Sequence, residues 1–283
     1  MHVRNPVEWS VDQLRSAGHA IEGAGRARYG AQAAPAIRRI GIADLIDCLR
    51  RGLDDFAASR TDVVYLALVY PVAGLVLARL AFGYDMLPLV FPLVSGFALI
   101  GPLAAVGLYE MSRRREQGTE PSWADAFSIV HAPSFPAIVG LGLVVLALFL
   151  LWLGAAMAIY GWTLGPEPPA SVGAFLRDVL TTGAGWALIG IGMGVGFVFA
   201  VLALVIGVLS FPLLVDRDVG FDMAVATSVR AVAANPIVMA VWGLIVAGAL
   251  VLGSAPLLLG LIVVMPVLGH ATWHLYRKLV APR

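Results

Sequence analysis

The chain has 283 residues, of which 60% are hydrophobic and only 13% are charged, and its formal net charge is +1. A soluble globular domain carries about 25% charged residues, so this composition argues against one and favours a membrane protein. The near-neutral charge gives no general attraction to nucleic acid, and no nucleic-acid partner is expected. The single cysteine, Cys48, excludes an internal disulfide and a cluster of thiolate ligands, and no cofactor is predicted.

The first segment, 1–40, is rich in Gly, Ala and Arg with little periodicity, which predicts a flexible tail without a signal peptide. Residues 42–56 carry apolar side chains at helical spacing on one face and charged ones on the other. This pattern predicts an amphipathic helix that lies on the membrane surface or packs on the spans. Shorter amphipathic helices are expected near 122–130, where Ser122 and Asp125 fit a capping box, and near 221–236.

Long apolar runs predict six transmembrane helices, because about 20 apolar residues cross a bilayer. The predicted spans are 63–83, 88–109, 136–161, 186–213, 236–254 and 256–276. We therefore expect an all-α polytopic membrane protein, with residues 41–283 forming the membrane domain and the lipid bilayer as its first partner.

The basic residues predict the orientation of these spans. If the N-terminus is cytoplasmic, all of the 19 Lys and Arg residues except Arg79 and Arg177 fall in cytoplasmic segments. The positive-inside rule then places both termini in the cytoplasm.

An internal repeat connects the loops with the spans. Residues 124–136 and 224–236 share Ala, Ala, Ser and Pro at the same positions, and the stretch beginning at Pro102 aligns with the stretch beginning at Pro266. The pattern predicts three copies of a unit made of one amphipathic helix and a hairpin of two spans.

Two histidines, His270 and His274, lie four residues apart near the end of the last predicted span. Such spacing places both imidazoles on one helix face, where they can share a metal ion with a third ligand such as Glu110 or His131. The alternative is an interfacial girdle, because Trp273 lies between them and basic residues follow.

Two further charged features are candidate sites. Asp216, Arg217 and Asp218 follow the fourth predicted span, either as a magnesium or phosphoryl site or as the charged exit of that span. Arg79 lies near the outer end of the first predicted span, either as a functional charge or as a residue that snorkels toward Asp85.

Two stretches, 214–236 (LVDRDVGFDMAVATSVRAVAANP) and 269–280 (GHATWHLYRKLV), resemble the bacterial membrane family called domain of unknown function 2189. The resemblance extends over roughly 40–280 and implies a six-helix protein of the bacterial inner membrane with no assigned activity. Some members are labelled as cytochrome oxidase components, but this chain lacks the intramembrane histidines of an oxidase core.

Three functions remain open from the sequence. The first is a non-catalytic accessory, scaffold or assembly module for other membrane proteins, such as the subunits of a respiratory complex. The second is a transporter or channel for a small or lipidic solute, built on the repeats. The third is a metal-dependent enzyme that uses His270 and His274. Because no catalytic motif is present, an enzyme is the least favoured.

Overall fold

The structure, a computed structural model, describes residues 34–58, 79, 87–120, 122–256 and 258–282. The first predicted span, 63–83, lies outside these residues except for Arg79. The α-helices of the described residues are α1 (Ile42–Ala58), α2 (Val90–Ala104), α3 (Val106–Glu116), α4 (Phe135–Thr163), α5 (Val172–Thr181), α6 (Gly183–Gly207), α7 (Ser210–Asp216), α8 (Phe221–Ala234), α9 (Pro236–Ser254) and α10 (Leu261–Leu279). Short 3₁₀ helices cover Leu87–Leu89 and Trp123–His131.

Three stretches of the described chain are helical, long and apolar enough to cross a membrane: Phe135–Thr163, Gly183–Asp216 and Pro236–Ser254. They correspond to the third, fourth and fifth predicted spans. Asn235 ends α8 and Pro236 opens α9, because a residue before proline disfavours helix while proline itself suits the first helical turn.

The second and sixth predicted spans differ from one continuous transmembrane helix. Residues 88–109 divide at Ala105 into α2 and α3, shortly after Pro102, whose missing N–H weakens the helix there. The run 256–276 begins with a turn, and α10 starts only at Leu261. Six spans therefore stay a prediction.

Most of the buried core lies at one end of the domain, which we call the charged end (37–58, 105–145, 208–242 and 268–282). Trp242, Trp273, Tyr109 and Tyr276 are its largest fully buried side chains. The candidate spans are enclosed to different degrees: 33% of the window in Phe135–Thr163 is buried, 56% of that in Gly183–Asp216 and 22% of that in Pro236–Ser254. Apolar side chains on all sides of a span suit contact with lipid.

Both ends of the described chain meet at the charged end. Ile37 and Val280 form an isolated antiparallel bridge, and the side-chain oxygen of Asn235 accepts a hydrogen bond from the Ile40 N–H at 3.0 Å. Contacts with the rest of the domain therefore begin a few residues before the predicted tail boundary at residue 40.

Helix α1, the first in the described ranges, packs closely along α10. A Cβ atom added to Gly52 would lie 2.6 Å from the backbone nitrogen of Ala271 and 2.8 Å from the carbonyl oxygen of Val267. Only glycine permits this approach, which brings the polar side chains of both helices together.

Candidate functional site

Three helices each contribute one polar stripe to a shared site at the charged end. Helix α1 supplies Asp55, α3 supplies Ser112 and Arg115, and α10 supplies His270 and His274. Positions three or four residues apart share one face of a helix. Ser112 and Arg115 therefore lie on one face of α3, and His270 and His274 lie on one face of α10. The site therefore depends on the close packing of α1 against α10.

The Asp55 carboxylate is the centre of this cluster. Its Oδ2 atom accepts hydrogen bonds from Ser112 Oγ at 2.6 Å and from His274 Nε2 at 2.9 Å, and its Oδ1 atom accepts one from Arg115 at 2.6 Å. Asp55 is only 7% exposed. Three donors, one of them a guanidinium, compensate for the burial of its charge.

These contacts place a proton on Nδ1 of His270. The single hydroxyl proton of Ser112 is donated to Asp55, so Ser112 Oγ accepts a hydrogen bond from Nδ1 of His270 over 2.8 Å. The remaining ring nitrogen of His270 is Nε2. It is buried and makes no hydrogen bond of normal geometry with the described residues, although the ring also interacts with the Leu108 backbone.

Asp55, Ser112 and His270 have the residue types of a hydrolase triad but not its arrangement. In a triad the histidine lies between the carboxylate and the hydroxyl and accepts the hydroxyl proton. Here the hydroxyl lies between the other two groups and donates to the carboxylate. Ser112 is also only 1% exposed. The geometry supports a structural hydrogen-bond chain.

A cavity of about 310 Å³ opens beside this cluster. Its charged lining is four basic side chains, Arg51, Arg115, Arg277 and Lys278, and two acidic ones, Asp55 and Glu116. Ser112 and His274 complete the lining. The lining itself holds two more basic than acidic side chains, while Asp47, which does not line the cavity, pairs with Arg51 and with Lys278 at 3.0 Å each.

The basic side chains of the cavity are held by ion pairs but keep unused donors. Arg277 bonds to Glu116 at 3.0 Å through Nε, and Arg115 bonds to Asp55 through one Nη atom. A guanidinium has five N–H donors, so both arginines retain donors for a further anion. Arg115 is 37% exposed and Arg277 is 30% exposed in their side chains, so water and solutes reach them.

Ion pairs at the far side of the cavity join α1 to the end of α10. Lys278 contacts Asp44 at 2.8 Å and Asp47 at 3.0 Å. Hydrogen bonds from Lys278 lower the pKa of both carboxyls, and the same bonds raise the pKa of Lys278. Burial alone would raise the pKa of Asp55, but hydrogen bonds from His274 and Ser112 outweigh it and hold that pKa below its ordinary value.

Helix α1 shows which way the cavity faces. Its apolar residues Ile42, Ile46 and Leu53 are about half exposed and form one stripe. Arg51 and Asp55 lie on the opposite side of the helix, since residues nine apart differ by about 180° at 100° per residue. The cavity therefore opens away from the apolar stripe of α1. Helix α1 thus packs on α10 and leaves this apolar stripe exposed, so contact of the stripe with lipid stays a prediction.

Glu110 lies in a separate ion cluster between α3 and the 3₁₀ helix Trp123–His131. It is 1% exposed and bonds to Arg113 at 2.7 Å and to Arg114 at 2.8 Å. Arg114 also contacts Asp125 at 2.6 Å, while Asp125 accepts a bond from the Ser122 N–H at 2.8 Å and completes the predicted capping box. Glu110 is therefore engaged by two guanidinium groups.

Asp216 and Arg217, which follow the fourth predicted span, form hydrogen bonds within the domain. Asp216 accepts a hydrogen bond from the Tyr276 hydroxyl at 2.5 Å, and Arg217 donates to the carbonyl oxygen of Ala281 at 2.6 Å. Asp218 is exposed. Arg79 is exposed too, and its expected partner Asp85 lies outside the described residues. In the described ranges, no group of three or more His, Cys, Asp and Glu side chains is arranged to hold a metal ion.

Trp273 differs from the expected girdle. A girdle residue faces the lipid headgroups, but Trp273 is fully buried, and its Nε1 atom donates to Glu116 at 3.2 Å. Its ring lies 5.4 Å from the ring of Tyr276. The aromatic residues of α10 thus belong to the core of the charged end.

The family comparison covers the middle of the chain. Residues 90–216 match the family model described as predicted integral membrane protein (DUF2189). This match confirms the resemblance to DUF2189. No curated protein and no solved structure matches the chain.

The part that matches DUF2189 runs from the start of α2 to the end of α7 and includes two of the three candidate spans. It contains Ser112 and Arg115 but neither Asp55 nor the histidines of α10. The two stretches that suggested the resemblance lie almost wholly beyond residue 216. The site therefore combines residues inside the DUF2189 match with residues outside it.

The domain also has an apolar groove of about 690 Å³ away from the charged end. It runs between α2, α4, α6, α9 and α10. Trp152, Phe197 and Met265 contribute to its walls, and Ser95 and Ser254 are its only hydroxyl side chains among the described residues. Such a lining suits an apolar occupant.

Sequence reasoning missed Asp55, Ser112, Arg115 and Glu116. Asp55 belongs to the charged residues that the pattern of 42–56 places on the polar face, although its spacing from Leu45, Cys48 and Gly52 follows the buried stripe. That stripe of apolar and small residues was the available signal. The partners of Asp55 come from α3 and α10, which no local pattern connects to α1.

Proposed function

We propose that this protein is a non-catalytic multi-pass membrane module that binds a phosphate-bearing anion in the cavity between α1, α3 and α10. The observation that carries the proposal is the pair of arginines, Arg115 and Arg277, that line the cavity with N–H donors left over from their ion pairs. Arginine guanidinium groups match the oxygens of phosphate in geometry and charge. Basic pockets between membrane helices at the cytoplasmic side suit such headgroups.

The source of the phosphate is either a lipid headgroup or a water-soluble phosphate ester. The cavity opens away from the apolar stripe of α1, which favours access from the aqueous side. We place this side in the cytoplasm of a bacterial cell, with the charged end at the inner face of the membrane. The basic residues of the cytoplasmic segments support that orientation.

Native mass spectrometry of the purified full chain tests the proposal with two probes, phosphatidylglycerol and inorganic pyrophosphate. Binding of pyrophosphate alone assigns a soluble ligand, and binding of phosphatidylglycerol but not phosphatidylcholine assigns a headgroup. Arg115→Gln and Arg277→Gln should each weaken binding about tenfold, since a hydrogen bond to a charged group contributes about 1.5–3 kcal/mol.

Arg50→Gln is the matched control, because Arg50 is exposed on α1 but does not line the cavity. Equal loss in all three variants would show general charge attraction and contradict a defined site. Failure of both probes to bind the native protein would overturn the proposal.

A second candidate function rests on the apolar groove. Its lining favours binding or transport of a lipidic solute over a polar one. Extraction of lipid from the purified protein, compared between native chain and Gly196→Leu, tests it. Gly196 lies on the groove and faces Trp152, so a leucine there fills the groove and should reduce the bound lipid.

We further propose that six spans in three repeated units form the membrane domain. Equivalent contacts support the repeat: Gly107 packs on Ala126, and Ala271, its counterpart in the aligned stretches, packs on Gly52. In each case an amphipathic helix lies against the charged end of a different unit's span. An accessory role beside other membrane proteins predicts stoichiometric partner subunits after purification in mild detergent.

A further inference from the structure

The helix α5 (Val172–Thr181) lies at the end of the domain opposite the cavity, between two candidate spans. We propose that α5 is an interfacial helix whose apolar side contacts the outer leaflet of the bilayer. The proposal names an interaction surface, and its partner is the lipid itself. It does not depend on the anion site.

The sequence of α5 is amphipathic. Val172, Phe175, Leu176, Val179 and Leu180 fall within one broad arc of the helix at about 100° per residue. Arg177, Asp178 and Thr181 occupy the opposite side. A short helix with a broad apolar arc and a charged face is typical of a helix in the plane of the membrane interface.

One edge of the apolar arc attaches α5 to the neighbouring spans. Phe175 packs on Tyr160 near the end of α4, with ring centroids 6.3 Å apart. The backbone of Val179 approaches Gly185 in the first turn of α6 so closely that a Cβ atom on Gly185 would lie 2.3 Å from the Val179 carbonyl oxygen. These contacts hold α5 at the level where α4 ends and α6 begins.

The other edge of the arc is uncovered. Val172, Leu176 and Leu180 are 45%, 50% and 56% exposed, and none of the ten residues of α5 is buried. Three large aliphatic side chains spaced four residues apart form one continuous strip. Leaving this strip in water instead of in an apolar environment costs a free energy of about 25 cal/mol for each Å² of apolar surface.

Two exposed tryptophans place the strip at a membrane boundary. Trp162 at the end of α4 is 85% exposed, and Trp186 at the start of α6 is 60% exposed. Tryptophan is enriched where membrane helices meet the headgroups, because its ring is apolar and its N–H is polar. Since both candidate spans pass this level, the lipid interface is the surface available to the strip.

Spin labels at adjacent positions of α5 test the proposal in lipid nanodiscs. Leu176→Cys places a nitroxide on the apolar strip, and Arg177→Cys places one on the charged side. Burial raises the pKa of the native Cys48 thiol to about 12, so this thiol stays protonated and the unmutated chain serves as the unlabelled control. Collision with oxygen reports lipid, and collision with a water-soluble nickel chelate reports water.

We expect the label at Leu176→Cys to favour oxygen and the label at Arg177→Cys to favour the nickel chelate, each by severalfold. Equal access of the chelate to both labels would place α5 in water and overturn the proposal. Protection of Leu176→Cys from both reagents would also overturn it, because protein would then cover the strip. Leu180→Cys and Thr181→Cys form a second pair that keeps the test valid if Leu176→Cys fails to fold.

Discussion

His274 and Asp55 join the last helix of the described chain to the first, through a hydrogen bond of 2.9 Å between Nε2 and Oδ2. The same carboxylate oxygen accepts the hydroxyl of Ser112, so α1, α3 and α10 meet at one atom. A single acidic residue thus connects three segments that are distant in the chain. The stability of the charged end should depend on it.

Asp55→Asn should lower the free energy of unfolding by about 2–4 kcal/mol, because His274 and Arg115 then lose a buried charged partner. The melting temperature in detergent measures the effect. Asp54→Asn is the control, since Asp54 is the exposed neighbour of Asp55 on the same helix. Similar losses in both variants would show that Asp55 has no special role.

Gly52→Ala should destabilise the protein by about 1–3 kcal/mol, because the new methyl group meets the backbone of Ala271 and Val267. Gly154→Ala serves as the comparison, as nothing lies within 4 Å of a Cβ atom there. That change should be neutral or stabilise α4 by up to about 1 kcal/mol. Thermal unfolding of both variants distinguishes close packing from helix propensity, and an unchanged Gly52→Ala variant would contradict the close contact.

Glu110→Gln should loosen the 3₁₀ helix Trp123–His131, because Arg113 and Arg114 lose the buried carboxylate that orients them. We expect amide hydrogen exchange in this segment to accelerate at least tenfold while α9 is unaffected. Glu120→Gln, a change at an exposed residue, should leave exchange as it is. Protection of the segment in both variants would assign its stability to apolar packing instead.

Acid should detach α1 from α10. The pKa values of Asp44, Asp47 and Asp55 are lowered by folding, so their contribution to stability is complete above the unfolded value of about 3.9 and is lost as pH falls through the folded values. The raised pKa of Lys278 works in the opposite direction: its contribution is complete below about 10.4 and is lost as pH rises through the folded value. Melting temperatures between pH 3 and 11 should therefore show a plateau, and the Asp55→Asn variant should lose less stability on the acid side.

Metal chelation should not change the melting temperature. One ring nitrogen of each histidine is engaged in a hydrogen bond: Nδ1 of His270 with Ser112, and Nε2 of His274 with Asp55. We expect purified protein to retain no stoichiometric zinc by elemental analysis, with the His274→Ala variant giving the same result. Metal that is retained by the native chain and lost in His274→Ala would support the alternative of a metal site at this pair.

Local signals in the sequence determined several elements of the fold. The apolar run 236–254 coincides with α9, since proline starts it and its length suffices to cross a membrane. The capping box of Ser122 and Asp125 also forms as predicted. These features depend on residues within a few positions of one another, so composition and spacing are enough to locate them.

Only the tertiary structure decided the candidate site. Ser112 meets Asp55 across 57 positions and His270 across 158, and no periodicity connects residues so far apart. The pair His270 and His274 was visible in the sequence, but its partners depend on how α1 packs against α10 at Gly52. Burial then decides the role of each polar residue, because a buried polar group must form its hydrogen bonds with the groups that tertiary packing places next to it.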